Sequence, residues 1–234
     1  MNSLMTLIEY IEKLETWDSD ESFLIDATIL ASLKILKKCH EEIENNNSYL
    51  IAPLLRQVQE NFIVVAGLSE GVLTAEKYVK EKHNPKNIMN AIKEKGLEIK
   101  ESEFDWFNEY LIKIKEKLND YSHTNFDGIM SLFTERFQVL EAQQFNKIIA
   151  RLMIQFIESP FIVMVNYIYS SNVELPKIEN YYIKLKELGT LKYATRNFPE
   201  PIKDFIKQSE LIQDYYTNAV NDLKKTLKEY KEIK

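Results

Sequence analysis

Apolar residues recur every three or four positions along most of this chain, the spacing of one face of an α-helix. Leu4, Leu7, Ile8, Ile11 and Leu14 form one such stripe and predict a first helix over 3–15. The acidic stretch Asp18-Ser19-Asp20-Glu21 opens a second periodic run and Asn45-Asn46-Asn47 closes it, which predicts a helix over 20–45. A third, over 50–68, ends near Gly67, and Ser69-Glu70-Gly71 leads into an exposed fourth helix rich in Lys and Glu. Asn84-Pro85 opens a short fifth helix that stops at Gly96. The sixth, over 101–121, is strongly amphipathic, with Phe104, Phe107, Tyr110, Leu111, Ile114 and Leu118 inward and lysines outward.

Helix resumes at Asp127 and runs toward Ser171, interrupted near Pro160, where proline removes a donor and clashes with the preceding turn. The last helix, over 200–232, carries Ile202, Phe205, Ile212, Tyr216, Ala219, Leu223 and Tyr230 at alternating spacings, with Ser209 and Thr226 breaking the seam. The pattern gives roughly nine helices and no strand. The expected fold is all-α, a multi-helix bundle with a long C-terminal helix. Pro176 and the stretch 189–201 mark the loosest connection. The expected division is therefore a bundle over 1–175 and a helical extension over 176–234 that packs on the bundle or on a dimer partner.

Composition supports that reading, because only five glycines and six prolines leave little material for the tight turns of a sheet, and 45% hydrophobic residues can fill a core. A net charge of -6 argues against nonspecific binding of duplex DNA, which gains from a basic face. The one cysteine, Cys39, is read as a small core residue and fits a reducing cytoplasm. The first residues lack the basic segment of a signal peptide, so no export is expected. Residues 148–169 are long and apolar enough to span a bilayer, but Arg151, Gln155, Glu158 and Asn166 lie along them, and a bundle helix is expected instead of a membrane span.

Two polar clusters stand out in this apolar background, Arg56-Gln57-Val58-Gln59-Glu60-Asn61 and Asn119-Asp120-Tyr121-Ser122-His123-Thr124-Asn125. Arg56 and Glu60 are the only charged residues between Leu50 and Ser69, so their helix reads as central and the two as a buried ion pair. Only four of the 30 basic residues Lys and Arg are arginine, namely Arg56, Arg136, Arg151 and Arg196. In so lysine-biased a chain, arginine points to places where its planar five-donor fork is needed, as in holding a phosphate. His123 follows the end of the sixth helix, where Asn119, Asp120, Ser122, Thr124 and Asn125 can bond the freed carbonyls and orient the imidazole for proton transfer. His40 and His83 sit among charges and read as solvated. There is no phosphate-binding glycine loop, nucleophile elbow, zinc-helix motif or di-iron Glu-x-x-His pair, and no cofactor or metal is expected.

An Arg-x-x-x-Glu on a buried helix, Arg56 to Glu60, followed by a helix ending in the Ser122-His123-Thr124 turn, resembles uncharacterised bacterial all-helical families grouped with the HEPN superfamily. The likeness covers about 50–154 at most. It implies a bundle of four or five core helices, often dimeric, of the abortive-infection or toxin type, whose active members cleave RNA without metal. Those members use an Arg and a His spaced four to six residues apart. In this chain Lys117 stands where that arginine would be, separated from His123 by Leu118 to Ser122.

Two readings follow. In the first, a metal-independent ribonuclease, His123 is the general acid or base, Arg56 or Arg151 stabilises the scissile phosphate and Glu60 holds the arginine, with Arg136, Lys117, Asn119, Ser122 and Asn125 contributing to substrate binding. A second copy, an RNA or nucleotide ligand and an antitoxin or regulatory protein are the expected partners. In the second, a helical binding module, the same clusters are a structural core network.

Overall fold

The computed structural model describes residues 2–81, 84–95 and 140–175, together with 204, 207–214, 217–218, 221 and 225. Among the described residues the protein is all-α, with no strand. The helices are α1 (Asn2–Ile11), α2 (Asp20–Glu44), α3 (Ile51–Ser69), α4 (Ala75–Lys80), α5 (Pro85–Glu94) and the long α6 (Leu140–Tyr169), with a 3-10 turn at Ser48–Leu50 before α3. The expected sixth helix, the stretch from Asp127 to 139 and the 189–201 connection lie outside the described residues. The chain divides into two compact units, one of residues 1–128 and 153–177, the other of 129–152 and 178–234.

In the first unit, α2 and α3 are the central pair, with α1 packed on α2 and α5 on α3. Ser19 caps α2 by accepting from the Ser22 amide (3.1 Å), while the Ser22 hydroxyl accepts from the Ser19 amide, and Asp20 and Glu21 add negative charge where the helix dipole favours it. The buried side of α2 is the row Ile29, Leu33, Leu36, Cys39 and Ile43. Two asparagines account for its stop. Asn46 takes a left-handed φ of 62°, the Asn47 amide reaches the Glu42 carbonyl (2.8 Å) and the Asn46 amide reaches Ile43 (3.2 Å), which closes the orphan carbonyls. α3 then returns antiparallel, as the Asn61 amide donating to the Ser32 hydroxyl (3.0 Å) fixes.

Three sequence expectations change. The glycine that ends α3 is Gly71 (φ 63°), not Gly67, and Gly67 lies inside the helix because a Cβ there would sit 2.6 Å from Ile88 and 3.2 Å from Leu73. Its use is close approach, not helix termination. Pro160 does not interrupt the run from 140 to 169. Proline costs an interior helix about 3 kcal/mol, but Ile154, Ile157, Phe161, Ile162 and Val165 on both sides of it are buried, and that burial outweighs one missing bond. The first helix ends at Ile11, short of the expected Glu15, since the segment from Leu14 leaves the axis to carry Trp17 toward α2.

The C-terminal half of α6 belongs to the same unit. It runs antiparallel to α2, with Glu158 beside His40 late in α2 and Tyr169 beside Asp26 early in it, and Phe161 packs on Phe62 of α3 at 6.2 Å between ring centres. Lys147–Tyr169 is long and apolar enough to cross a membrane by length and composition. A smaller cluster of Ile63, Val64, Leu68, Leu73, Ile88, Met89 and Ile92 fills the end where α3 meets α5. In the second unit Ala150 of α6 is buried, and the described residues of the C-terminal stretch are helical except Ser209, whose hydroxyl accepts from the Ile212 amide (3.4 Å) and starts a new segment.

Candidate functional site

Arg56 and Glu60 face the same side of α3, one turn apart, and they do pair: the guanidinium Nε donates to Glu60 Oε1 at 3.3 Å. The expected burial is corrected. The side chains are 33% and 47% exposed, because around them only Leu55, Val58, Gln59 and Phe62 on the neighbouring face are buried, and burial of their own face starts a turn later, where Ile63 and Val64 meet α5. A pair of this kind, half in water and with the arginine N-terminal to the glutamate, contributes only a few tenths of a kcal/mol to stability. What it does well is orient a cation at the surface of a rigid helix.

Of the other residues singled out from sequence, His123, Lys117, Asn119, Ser122, Asn125 and Arg136 lie outside the described residues. Arg151 is half-buried on α6, in the second unit, whereas Arg56 and Glu60 are in the first. Arg56 and Glu60 are therefore the two that the described residues bring together.

A second ionic centre was misread in the sequence. His40, expected to be solvated, is only 30% exposed, and its Nε2 lies 2.7 Å from Oε2 of Glu158, itself 3% exposed. Both residues carry a signal for this contact. His40 is four residues after Leu36 and three before Ile43, on the edge of the buried row of α2, and Glu158 is a carboxylate in an apolar run that needs a partner wherever it is buried. A carboxylate bonded to one ring nitrogen holds the imidazole in one orientation and ties α2 to α6.

The same carboxylate acts on Cys39. Burial first, then the negative charges of Glu158 and Glu42, push the thiol up to about 12, so it stays protonated and inert, as a core cysteine should. Glu42 is buried too, and its carboxyl is held below the usual range by the Lys38 ammonium (2.6 Å) and the Asn47 amide (2.6 Å). No group of three or more His, Cys, Asp or Glu among the described residues has metal-binding geometry.

Asp26 organises a third cluster, on the surface. One carboxylate oxygen accepts from the Trp17 indole (2.7 Å) and the other from the Tyr169 hydroxyl, while Tyr10 meets Tyr169 edge-on at 5.6 Å and Phe23 meets Trp17 edge-on at 5.1 Å. Burial and the adjacent Asp26 push the Tyr169 phenol well above its ordinary value, so it remains a donor.

With this geometry in place, comparison with known proteins gives no match: no protein-family model, no curated protein and no solved structure resembles the chain significantly.

Proposed function

We propose that this chain is a HEPN-like helical protein of the cytoplasm, acting in antiviral defence or stress response as a metal-independent ribonuclease. His123 takes or gives the proton at an RNA 2′-hydroxyl, and Arg56, held by Glu60, stabilises the scissile phosphate. The observation that supports this reading is the position of the Arg56–Glu60 pair. Its guanidinium is oriented at a half-exposed surface of the most buried helix, where a phosphate from solvent can reach it, whereas a pair locked in the core would serve packing alone. The partners that go with it are a second copy, an RNA or nucleotide, and an antitoxin or regulatory protein, with no membrane and no nonspecific duplex DNA.

The test compares growth and total-RNA integrity in cells expressing the wild type or His123→Ala, with and without phage infection. Toxicity and RNA fragmentation that disappear in His123→Ala are the expected result. A wild type that neither slows growth nor fragments RNA under either condition removes the ribonuclease reading.

A second reading, a non-catalytic helical interaction module, is favoured by the His40–Glu158 contact, where a histidine and a buried carboxylate join two helices in a purely structural way. Intact RNA in cells both with and without phage infection is the outcome that selects it.

A further inference from the structure

The aromatic cluster around Asp26 lies in the water-facing part of the first unit. Tyr10, Trp17 and Phe23 are each between 43% and 47% exposed, which is a large apolar area to leave in solvent on one patch. Two of its rings are already fixed, since a single carboxylate holds the Trp17 indole and the Tyr169 hydroxyl. Rings so held lose little freedom when a partner covers them, which is how aromatic anchors of interfaces gain affinity.

The charge around the patch says what that partner is. Residues 9–26 hold seven carboxylates and one lysine, Lys13, a net of -6, equal to the formal net charge of the whole chain. The remainder of the protein is therefore balanced, and its acidity is concentrated here. Lys34 occupies Glu12 (2.7 Å) and the Ala75 amide occupies Glu21 (2.9 Å), but Glu9, Glu15, Asp18 and Asp20 are exposed and, among the described residues, unpaired.

We propose that the Tyr10–Trp17–Phe23 surface with its acidic rim is a docking site for a basic protein segment, one rich in Lys and Arg. Arginine and lysine side chains stack on aromatic faces while their charges meet the flanking carboxylates. A second copy of this chain is disfavoured on this face because it would oppose two equal concentrations of negative charge, and nucleic acid and anionic lipid are disfavoured for the same reason. The surface does not depend on RNA cleavage and goes with either functional reading.

The experiment titrates the full chain against three short labelled probes: an alternating Lys-Arg peptide, an alternating Glu-Asp peptide and a single-stranded RNA, read by fluorescence anisotropy at several salt concentrations. Saturable binding of the basic peptide and none of the acidic one is expected, with any RNA binding unchanged in the patch variants. Trp17→Ala and Phe23→Ala should each weaken it about tenfold with the salt dependence unchanged, the scale of an aromatic anchor. Glu15→Gln combined with Asp18→Asn, both exposed and outside the helices, should weaken it and flatten the salt dependence. Glu76→Gln, exposed on α4, should leave it unchanged. Equal weakening by Glu76→Gln, unaltered affinity in all the patch variants, or RNA binding that these variants abolish each overturns the proposal.

Discussion

Glu158 brings a carboxylate into the core of the first unit, and the imidazole of His40 is its partner there. Removing that partner strands a buried charge, which costs about 3–5 kcal/mol in a dry site and about 2 kcal/mol here, because the exposed side of the ring admits water. His40→Ala is thus expected to lower the urea midpoint clearly, with His40→Gln recovering part of it through a retained donor. Arg56→Ala, at a half-exposed pair, should change stability by less than about 0.5 kcal/mol. If the two losses are alike, the His40–Glu158 contact is not structural in the sense argued here. Glu42 makes a prediction with pH. Its folded carboxyl is held below the ordinary value of 4.5 by the bond to Lys38 first and Asn47 second, so its contribution is complete above that value and is lost as pH falls through the lower folded one. Glu42→Gln should therefore flatten the acid side of a stability-against-pH profile and leave its slope near neutrality unaltered, as measured by thermal unfolding at a series of pH values.

At the scale of elements, α2 and α3 end by the same bonds in different residues, with Asn46 and Gly71 in the left-handed region. α6 ends likewise at Ser170 (φ 49°), with the Ser171 amide on the Asn166 carbonyl at 2.9 Å. The asparagine stop was legible because asparagine tolerates that conformation. The choice between Gly67 and Gly71 was not, because both satisfy the local rule and only the neighbour across the interface separates them. Gly67→Ala tests this directly. Helix propensity alone predicts a gain of about 1 kcal/mol, whereas the 2.6 Å approach of Ile88 predicts a loss of about 1–3 kcal/mol from overpacking. A lowered melting temperature whose loss shrinks or reverses when Gly67→Ala is made in an Ile88→Ala background, which lacks the Cγ2 methyl that the new Cβ would meet, confirms the contact as the cause, and a raised one in the single variant refutes it. Pro160 carries a similar lesson, since a local rule that breaks an isolated helix gives way where both flanks are buried.

At the scale of the molecule, the all-α class, the central place of α3 and the pairing of Arg56 with Glu60 were legible from periodicity and composition. The metal-independent reading makes a prediction at this scale: RNA cleavage by the purified protein should persist in excess EDTA, as followed on labelled RNA, and loss of cleavage restored by a divalent cation would replace the proposed chemistry with a metal-assisted one. Among the described residues, the helices and most of their starts could be read from the chain, because spacing and caps act within a few residues. Which polar groups meet water and which meet one another follows from the packing of distant segments. His40 and Glu158 stand 118 positions apart, and Asp26 and Tyr169 stand 143 apart. No periodicity within one helix can reveal a partner on another. The same limit made Arg56 look buried, since the width of an apolar arc is set by how many helices surround it, and that number belongs to the packing and not to the chain.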